Sequence, residues 1–153
     1  MSSNNIPLAV VCDLDGTLCN DLHRKPALAT NQGQRRWDEY HALLGEDVPF
    51  APVVTILEHF SVLGHAIIFL TGRPDRYRDA TNLWLVRHVP QLAPYSLIMR
   101  PDGCMDKSPH MKLNAYFNHI HNNYHVALAL DDDERNANMW AYLNIPCLIP
   151  LIP

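Results

Sequence analysis

The sequence predicts an α/β protein with a parallel sheet of about five strands and helices on both faces of that sheet. Three largely apolar runs, Leu8–Cys12, His65–Leu70 and His125–Leu130, are each followed by polar residues. Such runs are typical of strands that are buried on both faces. A segment with apolar residues at helical spacing, Val53–Leu63, lies between the first two runs. Strands and helices are therefore expected to alternate along the chain.

The other elements are predicted from periodicity and from the positions of proline and glycine. They are, in chain order, a weak helix at Gln34–Leu44, a helix at Pro49–Leu63 that stops at Gly64, a helix at Pro74–His88 with core candidates Leu83, Trp84 and Val86, a strand at Ser96–Met99, a helix from Pro109, a helix at Arg135–Leu143 and a strand at Ile145–Ile149.

Length and composition indicate one globular domain. The chain has 153 residues, of which 48% are hydrophobic and 18% are charged, and this length is sufficient to bury a full core. We therefore expect residues 1–153 to form a single domain. Residues 20–45 begin with a polar stretch that has no clear period, and we expect them to form a flap or small cap insert.

Several classes of protein are disfavoured by composition. No apolar run approaches the roughly 20 residues that span a membrane, and Met1–Asn5 lack the basic start of a signal peptide. The four cysteines are scattered and form no C-x-x-C pair, which argues against a zinc site or a disulfide framework. We therefore expect a cytoplasmic protein without membrane contact, and the residues identify no protein partner.

The net charge limits the ways in which the chain can bind nucleic acid. A formal charge of −4 argues against tight non-specific binding to duplex DNA, which depends on many phosphate contacts. A local basic cleft that grips one phosphate or one strand end remains compatible with this charge.

The first predicted strand runs into two carboxylates, Asp13 and Asp15, followed by Gly16 at the turn. Ligands of open α/β sheets bind beyond the carboxyl ends of the strands, so these acids are expected at the rim of a cleft. Two carboxylates held close together repel each other, and a hard cation such as Mg²⁺ offsets that repulsion. The alternative is an acidic loop whose carboxylates cap the next element.

A second acidic cluster, Asp131–Glu134, follows the strand at His125–Leu130. Acids at a helix start are favoured by the positive end of the helix, which accounts for one or two of the four. Capping does not explain why acids recur at the end of a second buried strand.

The first motif, Asp13-x-Asp15-Gly16-Thr17-Leu18, resembles that of the haloacid-dehalogenase (HAD) phosphohydrolases. The family's other motifs are a strand ending in Thr or Ser, a lysine near a helix start and a pair of acids after an apolar strand. Thr71 and the pair Asp131 and Asp132 match two of these motifs, and Lys112, with Lys107 as its rival, matches the lysine. The resemblance implies a HAD-like, Rossmann-like sheet with a minimal cap.

A closer resemblance is to the phosphatase domains of phage polynucleotide kinase-phosphatases. The matching residues are Arg36, Thr71-Gly72-Arg73, Arg100, Lys107, Lys112, Asp131-Asp132 and Met139-Trp140. Thr71 stands where that pattern has serine, and acids interrupt the basic stretch between Arg100 and Lys112. No phosphate-binding Gly-x-x-x-x-Gly-Lys loop is present, so phosphatase activity alone is expected.

The resemblance implies a role for each matched residue. Asp13 attacks phosphorus to form an aspartyl-phosphate, and Asp15 acts as general acid and then as general base. Mg²⁺ is expected on the Asp13 carboxylate, the Asp15 main-chain carbonyl and Asp132, with Asp131 adjacent or bound through water. The remaining assignments place Thr71 and Lys112 on the phosphoryl oxygens and Arg36, Gly72, Arg73 and Arg100 on the rest of the substrate.

The expected substrate is a nucleotide-type phosphate, foremost a 3'-phosphate end of DNA or RNA. Two alternatives stay open: a 5'(3')-deoxynucleotidase that acts on free mononucleotides, and a phosphate- or metal-binding module without turnover. The sequence also leaves open whether Arg35 or Arg36 faces the cleft.

Overall fold

The computed structural model describes residues 6–30 and 32–153. The first five residues, on which the absence of a signal peptide was judged, lie outside this range, as does Asn31 of the expected flap.

A five-stranded parallel sheet forms the centre of the molecule, and a two-stranded ribbon lies beside it. The strands are β1 (Leu8–Cys12), β2 (Cys19–Asn20), β3 (Val48–Pro49), β4 (Ala66–Pro74), β5 (Tyr95–Arg100), β6 (His125–Leu130) and β7 (Cys147–Leu148). The order in the sheet is β5-β4-β1-β6-β7, and every neighbouring pair is parallel. The carboxyl ends of β4 and β6 therefore flank the carboxyl end of β1.

Six α-helices are described. They are α1 (Pro26–Thr30), α2 (Gly33–Ala42), α3 (Ala51–Val62), α4 (Arg78–His88), α5 (Ser108–Ala115) and α6 (Glu134–Tyr142). Short 3₁₀ turns lie at Leu22–Arg24, Leu44–Glu46, Asp75–Tyr77 and Pro90–Leu92, and α5 continues into a π turn at Tyr116–Ile120.

The central strand divides the core into two layers. Val10 and Cys12 pack with residues of α3 and α4, whereas Ala9 and Val11 pack with residues of α5 and α6. This alternation is the two-residue period of a strand buried on both faces. It confirms the predicted α/β architecture, with helices on both sides of a parallel sheet.

Several predicted details were wrong. On α4, Trp84 is buried as expected, but Leu83 and Val86 are exposed because Leu85 takes the inward position. The strand β4 extends to Pro74 through a register shift after Leu70, so the residues that follow Leu70 belong to the strand. The expected flap stays a prediction, and its residues 20–30 contain the turn at Leu22–Arg24 and α1.

In the described part of the chain, no helix combines the length and the hydropathy needed to cross a membrane.

Candidate active site

Three carboxylates meet where the two central strands end. Asp13 follows β1, and Asp131 and Asp132 follow β6; the backbone N–H of Asp13 donates to Leu130 O at 2.9 Å, which ties the two strand ends together. One carboxylate oxygen from each acid lies within 4.8 Å of the others. The sheet order thus brings together two acidic clusters that are 118 residues apart in sequence.

Lys112 of α5 is the lysine that contacts these acids. Its Nζ donates to Asp13 Oδ1 at 2.8 Å and to Asp131 Oδ2 at 2.6 Å, and the side chain is buried. Burial alone would lower the pKa of Lys112, but the two carboxylates outweigh burial and raise it. Lys112 is therefore a permanent positive charge beside Asp13. Its rival Lys107 lies at the N-terminal end of α5 and lines the cleft.

Asp131 has both carboxylate oxygens engaged by the protein. Oδ2 accepts from Lys112, while Oδ1 accepts from Asn136 Nδ2 at 3.0 Å and from the backbone N–H of Asp133 at 3.2 Å. Direct coordination of a metal by Asp131 would compete with these bonds. Its place in the structure thus agrees better with the adjacent position than with a direct ligand.

Asp132 is clamped by Thr17. The Thr17 hydroxyl donates to Asp132 Oδ1 at 3.2 Å and accepts from the Asp132 backbone N–H at 3.0 Å. Gly16, at φ +81°, makes room for this carboxylate, because a Cβ there would lie 2.4 Å from Asp132 Oδ2. Thr17 and Gly16 were matched as part of the first motif, but their positioning role was not predicted.

Helix capping accounts for one acid of the second cluster. The Asp133 side chain accepts from the backbone N–H of Arg135 at 2.9 Å at the start of α6. Asp133 also pairs with the Arg135 guanidinium at 2.6 Å, and this hydrogen bonding lowers its pKa. The capping explanation thus applies to Asp133.

The donor set fits Mg²⁺. Burial raises the pKa of Asp13 well above its usual value; Lys112 opposes this, and Asp131 and Asp132 add to it. Burial and the Asp131 charge likewise raise the pKa of Asp132. One lysine does not balance three carboxylates, so their charged forms are disfavoured unless a further cation is bound among them. Oxygen donors of this kind are those that Mg²⁺ prefers.

Asp15 is held by two arginines. Arg73 donates to it through Nε at 3.0 Å and through Nη2 at 2.6 Å, and Arg24 forms a second ion pair. Burial disfavours the charge of Asp15, but Arg73 and Arg24 outweigh burial and keep the pKa of Asp15 below its ordinary value. Asp15 is therefore a carboxylate in this arrangement.

Arg73, which the resemblance assigns to the substrate, has its guanidinium inside the protein. Its side chain is buried, and its guanidinium is directed to Asp15, to Asp47 and to the hydroxyl of Thr81 at 3.3 Å. These contacts use its donors within the protein and hold the Asp15 carboxylate, and contact of Arg73 with substrate stays a prediction.

Sequence reasoning missed Arg24 and Asp47. Arg24 belongs to the turn at Leu22–Arg24, and it donates to Asp47 through Nε and Nη2, both at 2.7 Å. Asp47 also accepts from Arg73 Nη2 at 3.1 Å. Both side chains are buried. A polar stretch without a period carries no signal for such a pair, since only the fold brings the partners together.

Asp15, Cys19 and Asp47 form a second group of ligand-type atoms within 4.8 Å. Both carboxylates are occupied by guanidinium groups, and Arg73 Nη2 also reaches Cys19 Sγ at 3.5 Å. Burial raises the pKa of the Cys19 thiol well above its usual value. This group is therefore an ion-pair network and not a metal centre.

Thr71, Gly72 and Arg100 are also assigned to the phosphoryl group or to the rest of the substrate. The Thr71 hydroxyl is buried and accepts from the Arg73 backbone N–H at 3.2 Å. Gly72 and Arg100 line the cleft, and Arg100 Nε donates to Gly72 O at 3.0 Å. Arg100 also donates to Asp106 O at 2.7 Å. Arg100 is thus fixed at the cleft wall by backbone carbonyls.

The carboxylates open into a cleft of about 840 Å³, in the upper part of the roughly 300–1,000 Å³ range of small-molecule sites. Arg36 of α2 lines this cleft, whereas Arg35 pairs with Glu39 at 2.9 Å on the exposed side of the helix. Arg36 is therefore the arginine that faces the site. The cleft is lined by further cations, Lys25, Arg76, Arg100, Lys107 and Arg135.

Comparison with known proteins places this site in a family. The sequence profile described as "Polynucleotide kinase PNKP phosphatase domain" matches residues 7–149. Over 144 residues, 94% of this chain, the sequence is 31% identical to a protein of Autographa californica nuclear polyhedrosis virus that is named for polynucleotide kinase and RNA ligase activities. The match covers 19% of the viral protein.

Solved structures give the same grouping. A chain of the Pnkp1/Rnl/Hen1 RNA repair complex superposes with a TM-score of 0.81 at 28% identity, over 97% of this chain and 43% of that one. The class C acid phosphatase of Bacillus anthracis superposes with a TM-score of 0.65 at 18% identity, over 99% of this chain and 69% of that one, which shows a shared fold. The chain thus spans less than half of the repair-complex chain and about a fifth of the viral protein. On this evidence, the chain belongs to the family of polynucleotide kinase PNKP phosphatase domains and is a HAD-type phosphatase domain.

Proposed function

We propose that the protein is a Mg²⁺-dependent phosphomonoesterase that acts through an aspartyl-phosphate on nucleotide-type phosphates, foremost polynucleotide 3'-phosphate ends. The observation that carries this proposal is the position of Asp13. It lies at the carboxyl end of the central strand, bonded to the buried Lys112 and within 4.8 Å of two further carboxylates, and it opens into a cleft.

In the proposed first step, an Asp13 carboxylate oxygen forms a bond to phosphorus while the bond from phosphorus to the ester oxygen breaks. Lys112 lies beside Asp13, where its charge offsets the repulsion between two anions. Asp13 and Asp132, with the Asp15 main-chain carbonyl, would hold Mg²⁺. The ion supplies charge neutralisation at the phosphoryl group.

Asp15 serves in the proposed proton transfers. In the second step it removes a proton from the water that attacks the aspartyl-phosphate, and its ion pairs with Arg24 and Arg73 keep it in the required charged form. To protonate the leaving oxygen in the first step, Asp15 must carry a proton and so must weaken one of these pairs. The first step should therefore be favoured by lower pH and the second by higher pH.

The distribution of charge in the cleft supports an anionic substrate larger than a phosphate group. The chain carries a net charge of −4, yet the cleft is lined by Arg36, Arg100, Lys107 and other cations. Aspartates line the cleft in the same number as lysines and arginines, so the attraction of a polyanion depends on the individual cations of the cleft wall and not on a net positive charge. The proposal includes a single catalytic domain with residues 20–45 as its cap, and a cytoplasmic setting in which the cysteines are reduced.

The test is phosphate release from a 3'-phosphorylated oligonucleotide and from free deoxynucleoside monophosphates, with Mg²⁺ and with chelator. We expect release from the oligonucleotide only with Mg²⁺, with a rate that falls as salt rises. Asp13→Asn should abolish release, and Asp79→Asn, on the exposed side of α4, is the matched control. Full activity of Asp13→Asn would refute the mechanism, and release from mononucleotides alone would refute the substrate assignment.

A further inference from the structure

Trp37 on α2 differs from the other tryptophans of the chain in its exposure. The sequence contains three; Trp84 and Trp140 are 2% and 1% exposed, whereas Trp37 is 40% exposed. The buried pair belongs to the two core layers. Core packing therefore does not account for a tryptophan at position 37.

Trp37 lines the same cleft as Asp13 and Asp15. The neighbouring Arg36 also lines this cleft, and its guanidinium carbon lies 5.4 Å from the centroid of the Trp37 ring. An aromatic ring beside an arginine, in a cleft that ends at phosphate chemistry, is the combination by which proteins bind single-stranded nucleic acid: the cation attracts the backbone and the ring stacks on a base.

The helix that carries Trp37 is fastened to the body of the protein. Asp38 accepts from Arg76 at 3.1 Å and from the Tyr77 hydroxyl at 3.4 Å. His41 stacks on Tyr77, with ring centroids 4.8 Å apart and planes at 21°, and Trp37 stacks on His41 at 6.2 Å and 28°. The Trp37 ring is thus the outer member of an aromatic row, held in place before any ligand arrives.

We propose that Trp37 is a substrate-specificity residue that stacks on one of the last bases of a 3'-phosphorylated strand, while the terminal phosphate lies at Asp13. This inference rests on the proposed function. An exposed tryptophan could also serve as contact for a protein. The shared lining with Asp13 and the adjacent Arg36 favour a nucleic-acid base, and the protein contact is an outcome of the tests below.

The kinetic test uses Trp37→Leu, which keeps apolar bulk and removes the ring, and Trp37→Phe, which restores a ring. On a 3'-phosphorylated oligonucleotide, the loss of stacking should raise KM about 5- to 150-fold with little change in kcat, because stacking is lost equally from the bound substrate and the transition state. Trp37→Phe should recover part of the loss. Tyr142→Leu, which removes an exposed aromatic that does not line the cleft, should leave KM unchanged.

A second substrate identifies the base as the partner. It is the same strand with its 3'-phosphate and no bases in its last two nucleotides. If Trp37 stacks on one of those bases, the difference in KM between the unaltered protein and Trp37→Leu should disappear on this strand. An equal loss on both strands would overturn the proposal, and so would an effect of Tyr142→Leu as large as that of Trp37→Leu.

Fluorescence gives a readout that does not depend on turnover. Since Trp84 and Trp140 are buried, a base that stacks on Trp37 should quench only the part of the tryptophan fluorescence that comes from Trp37. Titration with an unphosphorylated oligonucleotide should quench the unaltered protein and not Trp37→Leu. Absence of quenching would overturn the proposal in favour of a protein contact. Quenching without phosphate release would refute the proposed function and leave the stacking assignment standing.

Discussion

Replacing Asp47 by asparagine tests whether the buried ion-pair network holds Asp15 in place. Asp47 lies between the two arginines that bind Asp15, and it accepts three hydrogen bonds from them: two from Arg24 at 2.7 Å and one from Arg73 at 3.1 Å. The substitution keeps the shape of the side chain and removes its charge. The amide N–H group of the asparagine would also face the guanidinium groups of Arg24 and Arg73, which can only donate hydrogen bonds.

The expected cost follows from burial. The side chains of Asp47, Arg24 and Arg73 have no exposed area, and arginine cannot relieve the imbalance by losing its proton. Removing one partner of a buried ion pair costs about 3–5 kcal/mol. Asp15 remains as a counterion for both arginines, so we expect the lower end, about 3 kcal/mol, out of a total stability of about 5–15 kcal/mol.

The assay is urea unfolding at pH 7, with the free energy of unfolding compared between the unaltered protein, Asp47→Asn and Asp38→Asn. Asp38 also pairs with an arginine, but its side chain is 52% exposed, so its loss should cost only about 0–1 kcal/mol. If Asp47→Asn lowers the free energy of unfolding no more than Asp38→Asn does, the reasoning is refuted, because burial would then not determine how much an ion pair contributes to stability.

The same variant should lower turnover. With Asp47 neutral, Arg24 and Arg73 are free to draw Asp15 into a new position, and proton transfer by a displaced group loses part of a roughly 10²–10⁴-fold contribution. We expect kcat to fall while KM stays near its original value. If stability falls and kcat does not, Asp47 supports the fold without positioning Asp15.

Three further predictions concern other parts of the site. Gly16→Ala should abolish Mg²⁺-dependent phosphate release by displacing Asp132, whereas Gly33→Ala, also at positive φ but with open space around it, should cost only stability. Thr17→Val should raise the Mg²⁺ concentration for half-maximal activity about 10–100-fold, and Thr17→Ser, which keeps the hydroxyl, should not. Burial lowers the pKa of His41 to about 4, so the unfolded chain takes up a proton first as pH falls below about 6.5. Acidification from pH 7.5 to 4.5 should therefore remove about 2–3 kcal/mol of stability, measured by urea unfolding, and His41→Phe should flatten this dependence.

The fold could be predicted because its signals are local. Each buried strand is a short apolar run that is followed by a polar residue. Such runs can be recognised from the sequence without knowledge of tertiary contacts. The helix α4 shows where such reasoning fails. Leu83 and Val86 are exposed while Thr81 is buried, because the angle at which a helix packs, and not hydrophobicity alone, determines which side chains face the core.

The candidate site was predictable in part for a similar reason. Asp13 and Asp131 lie next to strand ends, and parallel strands bring their carboxyl ends to one edge. Lys112 lies in the last turn of α5, and the resemblance to the family's lysine motif identified it. Asp47 has no such marker. Its partners are fixed by long-range packing, including a hydrogen bond from Trp84 Nε1 to the Asp47 carbonyl at 2.8 Å, and no period or spacing reports contacts of this kind.

The segment expected to act as a flap is joined by ion pairs to Asp15, one of the proposed catalytic residues. Arg24 forms ion pairs with Asp15 and Asp47, its guanidinium lies 4.0 Å from the centroid of the Tyr40 ring on α2, and Tyr40 in turn donates to Asp21. Swinging this segment away would separate buried charges, at a cost similar to that of losing a buried partner. We therefore expect it to form a fixed wall, so that substrate enters an open cleft. A fixed wall suits the proposed substrate, a 3'-phosphate end of a nucleic acid, because the rest of the polynucleotide could stay outside while only its terminal phosphate reaches Asp13.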